Sequence, residues 1–125
     1  MDRLNFLNVL NAIEGFKTVI KAKHWNELNP HKHQILDDLY NDLNEYQDEF
    51  AEEGSIIFGR ILPENIKPIQ INTDSDEIDD VHKLLKGIHN ILGDDVEFAG
   101  LLSITDDFLH KVSKYKYLAN MTKIG

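Results

Sequence analysis

Two histidines, an aspartate and a glutamate stand at spacings that suit a bound transition metal. His24 closes one helical run, His33 opens the next, and Asp48 and Glu52 lie further along that second run. Neutral imidazole nitrogens and carboxylate oxygens together form a donor set that iron, manganese and zinc accept. Asp48 and Glu52 are four residues apart, so on a helix their like charges are neighbours and repel by a few tenths of a kcal/mol, ~0.2–0.5. No lysine or arginine occurs between His33 and Glu53 to relieve them, whereas a bound cation would. That stretch holds eight acids and supplies −8 of the formal net charge of −9. Trp25, the only tryptophan, directly follows His24. Affinity at such a site falls as the imidazoles take up protons, at about pH 6.

A length argument limits how these ligands meet. His33 and Asp48 lie on one helix, fifteen residues apart, or about 22 Å at a rise of 1.5 Å per residue. A stiff helix cannot bring both to one ion. If they share a metal, a second copy of the chain packs antiparallel, and a two-fold axis then makes two equal sites.

Other ligand types are sparser. Asp107 and His110 form a carboxylate-x-x-His step of the kind that di-iron bundles carry on two helices. No second copy of the step occurs, so this pair is a weaker alternative metal position. His82 and His89 are seven apart on a third helix, with no acid on that face in a ligand position, and read as surface or interface histidines. His31 sits beside Pro30 and is expected to be exposed. There is no Gly-rich phosphate loop, nucleophile elbow or Ser/His/Asp arrangement.

The elements that must carry these residues are helices. Over residues 3–26, Leu7, Leu10, Ile13, Phe16 or Lys17, Ile20 and His24 recur at spacings of three and four, with Gly15 the local penalty. Asn29-Pro30 ends that run, because the residue before proline avoids the α region. A second helix over about 31–53 presents Leu36, Leu39, Tyr40, Leu43, Tyr46, Gln47 and Phe50, with Gly54 as its stop. On its wheel His33 falls at the shoulder of the apolar stripe, and Asp48 and Glu52 fall on the far side. Residues 54–75, with Pro63, Pro68, Gly59 and β-branched patches, read as an irregular crossover with a short helical turn. Asp74 and Glu77 are expected to cap a third helix carrying Ile78, Val81, Leu85, Ile88 and Leu92 and closed by Gly93. Asp94 and Glu97 repeat the arrangement for a fourth, about 95–121, burying Phe98, Leu101, Leu102, Phe108, Leu109, Val112, Tyr115 and Leu118. Four amphipathic helices with one long crossover predict an all-α, ferritin-like four-helix bundle, a single domain over 1–125.

Composition agrees. At 125 residues, 42% hydrophobic and 28% charged, the chain is long enough for one core. No apolar run spans a bilayer, and the first residues alternate polar and apolar, so neither a membrane segment nor a signal peptide is expected. No cysteine is present, which removes disulfides and thiolate metal sites. A cytoplasmic location is the default. An acidic balance without a clustered basic element argues against nucleic acid as a partner. Lys111, Lys114 and Lys116 are expected to favour a solvated helix end.

His24-Trp25-Asn26, His33, Leu39-Tyr40, and then Asp48 and Glu52 resemble the signature of the Dps family, the mini-ferritins. The match covers about residues 20–54, and the chain is similar to an abbreviated member. The resemblance implies a ferroxidase centre between two-fold-related subunits, with His24 and His33 from one and Asp48 and Glu52 from its mate. It implies Trp25 beside the centre as an acceptor of oxidising equivalents. The implied activity is oxidation of Fe(II), preferably by hydrogen peroxide, with iron storage and peroxide protection; zinc and manganese remain open as metals. The implied assembly is a homo-oligomer, at least a dimer and at most a twelve-subunit shell. The alternative is an inactive ferritin-like structural or interaction module, for example in a virus or mobile element.

Overall fold

A computed structural model of the chain describes residues 1–72 and 74–124. Four helices carry it: α1 (Arg3–Asn26), α2 (Pro30–Phe58), α3 (Glu77–Leu92) and α4 (Ala99–Ile124). Short 3-10 turns at Pro63–Asn65 and Val96–Phe98 interrupt the connections, and no strand occurs among the described residues. The expected all-α bundle is what forms. No helix among the described residues is long and apolar enough to cross a membrane.

The core follows the helical stripes. Phe6, Leu10, Ile13 and Ile20 of α1 meet Leu36, Leu39, Leu43 and Phe50 of α2, Val81, Leu85 and Ile88 of α3, and Leu101 and Val112 of α4, all buried. Each such side chain contributes about 1.5–3 kcal/mol relative to its exposed state. Tyr46 and Thr105 place a polar link in this core: their hydroxyls lie 2.9 Å apart, and Thr105 donates to the Leu101 carbonyl. Burial holds the Tyr46 hydroxyl protonated well beyond the usual tyrosine range, with the nearby Asp106 charge acting in the same sense. Its hydrogen bond to Thr105 works the other way.

α1 packs on α2, α2 on α4 and α4 on α3, while α1 meets α3 only sparsely. The crossover lies along α1. Arg3, at the start of α1, donates to the carbonyls of Phe58 and Arg60 where the crossover begins. Asn11 donates to the Asn65 carbonyl and accepts from the Lys67 amide, and its own carbonyl accepts from Ile69. Lys23, near the end of α1, donates to the Ser75 carbonyl where the crossover ends. The connection therefore runs the length of α1, and α3 starts at the end of the bundle where α2 starts. This one-crossover pattern is the connectivity of ferritin-like bundles.

Several boundaries depart from the periodic reading. α2 does not stop at Gly54; it continues to Phe58 and leaves the helix at Gly59, whose φ is +91°. Gly54 is instead a point of close approach, because a Cβ there would lie 2.1 Å from the Phe6 ring. The added turn places Phe58 against Phe6 at 5.1 Å and Phe98 at 5.8 Å between ring centroids. Gly15 has the same explanation, since a Cβ would meet the Ile69 carbonyl of the crossover at 1.9 Å. Asp76, not Asp74, caps α3, accepting from the amides of Ile78 and Asp79. Asp95, not Asp94, caps the turn that leads into α4, accepting from Glu97. Leu118 is 37% exposed rather than in the core, and Ala119 takes the buried position beside it.

Candidate metal centre

The short link from Asn26 to Pro30 makes α1 and α2 an antiparallel hairpin, because so few residues can only reverse the chain. Asn29 caps α2, its side chain accepting from the amides of His31 and Lys32 at 3.0 Å each. His24 then lies in the last turn of α1 and His33 in the first turns of α2, facing across the hairpin. Their ring centroids are 4.0 Å apart with planes inclined at 37°.

His24 is mostly buried, and its Nδ1 has no hydrogen-bond partner. The Asp37 carboxylate stands close by, its Oδ1 3.9 Å from that nitrogen and beyond hydrogen-bond reach. A buried imidazole nitrogen without a partner carries a desolvation cost that a bound cation or a water removes. Two adjacent imidazoles, one with an unpartnered nitrogen, are donors of the type that a divalent first-row metal accepts. A small cleft of about 150 Å³ opens here, lined by Lys21, His24, Trp25, Asp37, Tyr40 and Asn41. The Lys21 ammonium lies 5.5 Å from the Trp25 ring centre and 5.7 Å from that of Tyr40. Trp25 thus stands beside the imidazole pair and is 68% exposed.

Asp48 and Glu52 are on the exposed face of α2, toward its other end. Neither forms an ion pair among the described residues. The chain therefore brings His24 and His33 together and leaves Asp48 and Glu52 apart from them. Among the described residues no three His, Asp or Glu side chains gather around a common point that could hold a metal.

Asp37 is a further ligand type that the spacing along α2 offers. It follows His33 by four residues, one helical turn, and the same rule that paired Asp48 with Glu52 pairs it with His33. Asp107 and His110 open onto a shallow groove between α2 and α4 whose lining also carries Asp42, Glu45 and Glu49 and the cations Lys111 and Lys114. On the α3 face, His89 does have an acid, supplied by α4: its Nδ1 is 2.7 Å from Asp106. His82 Nε2 lies 3.2 Å from the Ser113 hydroxyl. His31 is exposed, as expected.

His82 has a consequence for stability. Partial burial, then the Lys86 and Lys116 charges, hold its pKa below the ordinary 6.5, against the pull of Asp79. The unfolded chain then binds the proton more readily, so this contribution is full above pH 6.5 and is lost as the pH falls through that value toward the folded pKa. Between pH 7.5 and 5, a His82→Gln variant is expected to lose less of its urea midpoint than the wild-type chain; equal losses would rule the effect out.

Comparison with family models, with curated proteins and with solved structures finds no match for the chain.

Proposed function

We propose that this is a Dps-like iron-binding protein that oxidises Fe(II) at a site shared between two subunits. The observation that carries the reading is the facing His24–His33 pair with its buried, unpartnered nitrogen. The exposed, unrelieved pair Asp48 and Glu52 supports it from the other end of α2, since a second antiparallel copy would bring carboxylates to imidazoles. His24 and His33 act as neutral donors, and Asp37 adds charge from the same subunit. Asp48 and Glu52 of the partner subunit balance the rest of the cation's charge. Iron is the substrate. Two Fe(II) ions each give up one electron to hydrogen peroxide, whose O–O bond breaks, and two protons complete two waters. The low-charge imidazoles hold Fe(II), and the carboxylates favour the more highly charged product. Trp25, which lines the same cleft as His24, would take up stray oxidising equivalents.

Mixing the protein with Fe(II) and peroxide and following the ferric absorbance tests the proposal. A rate well above that of protein-free solution is expected, and a rate equal to it would refute ferroxidation. The second reading, an inactive ferritin-like structural module, draws on the absence of a three-ligand cluster within the described chain. It predicts an oligomer whose solution mass and melting are indifferent to chelator, where the first predicts that both respond.

A further inference from the structure

We infer that Glu77 is a positioning residue for the His24–His33 pair; its bearing on iron rests on the metal reading above. Glu77 opens α3 and is only 4% exposed. Its carboxylate takes Lys23 of α1 at 2.9 Å and Lys32 of α2 at 3.7 Å. Each lysine immediately precedes one of the two histidines in the chain.

The arrangement follows from helix geometry. Consecutive residues on a helix are about 100° apart. Because α1 and α2 run antiparallel, the step from Lys23 to His24 and the step from Lys32 to His33 turn in opposite senses. Both histidines therefore come to one side of the α1–α2 seam and both lysines to the other, where α3 begins. A buried carboxylate cannot be left without its cations, so Glu77 draws the two ammonium groups to a common point. That fixes how far the end of α1 stands from the start of α2, and hence the spacing of the rings on the opposite side. The first turn of α3 suits the role, since the negative charge of Glu77 is favoured at a helix N-terminus. Lys23 also donates to the Ser75 carbonyl at 3.1 Å, which ties the end of the crossover into the same clamp.

The test is made first on metal-free protein, so that it does not depend on iron chemistry. The wild-type chain should show a through-space proton contact between the rings of His24 and His33 by NMR. Glu77→Gln should lose most of that contact while keeping helical circular dichroism and a cooperative melt. Its affinity for Co(II), followed by visible absorbance, should fall about tenfold, the usual scale for groups that orient ligands. Lys32→Met, at the longer of the two contacts, should shift both readouts in the same direction and serves if Glu77→Gln does not fold. A folded variant that keeps the ring contact and binds Co(II) within about twofold of wild type would overturn the assignment. So would unfolding of both variants, which would make the clamp a requirement of the fold alone. If wild-type Co(II) binding is unchanged by His33→Ala, the metal reading fails, while the ring contact still decides the role of Glu77.

Discussion

Chains carrying His33→Ala and chains carrying Asp48→Ala are expected to be inactive apart and active together. Each change removes one ligand type from both sites of a symmetric dimer, so either protein alone should oxidise Fe(II) near the protein-free rate. In a mixed dimer one site combines the intact histidines of one chain with the intact carboxylates of the other. Random pairing of equal amounts makes half the dimers mixed, each with one good site of two, so about a quarter of the wild-type rate should return. The chains are unfolded together, refolded, and assayed by ferric absorbance. A mixture that stays inactive would place the whole site within one subunit. Wild-type rates in either single variant would remove that residue from the site. The double variant His33→Ala with Asp48→Ala cannot be rescued this way by copies of itself and is the negative control.

Phe6→Ala should be the most damaging single change to stability. Phe6 is fully buried, stacks on Phe50 at 5.8 Å and on Phe58 at 5.1 Å, and fills the space left by Gly54. Its removal opens a cavity between α1 and α2 and strips Phe58 of a neighbour just where α2 ends. Large-to-alanine changes of this type cost about 3–5 kcal/mol. Against a total of about 5–15 kcal/mol that is a large share. Thermal unfolding should move down by roughly 10–20 °C, at the few degrees per kcal/mol typical of this size. Leu4→Ala, on the same helix but 66% exposed, should stay within about 0.5 kcal/mol of wild type. Similar losses in the two variants would mean that the aromatic ladder contributes little.

Much of this architecture can be read from the chain because its elements are long and their periods clean. Periodicity and the proline that follows mark the bounds of α1, and the short link to α2 allows His24 and His33 to approach. The glycines were harder. Gly54 and Gly59 look alike as helix stops, and what separates them is Phe6 on another helix, which only tertiary packing supplies. The caps fall one or two residues later for a related reason: Asp74, Asp76, Asp94 and Asp95 are all competent caps, and side-chain type alone does not tell which of two near neighbours meets the helix start. Asp37 was within reach of the same one-turn rule that paired Asp48 with Glu52. The acid beside His89 and the two lysines of Glu77 were not, because those contacts join helices remote in sequence.

The helix packing and the fastening of the crossover do not respond alike to temperature. The core between the helices is apolar, and the attraction that holds it fades as water is cooled. The crossover is tied to α1 by hydrogen bonds at Arg3, Asn11 and Lys23. Those polar ties do not share the cold weakness, so chilling should weaken the packing of the helices before it frees the crossover from α1.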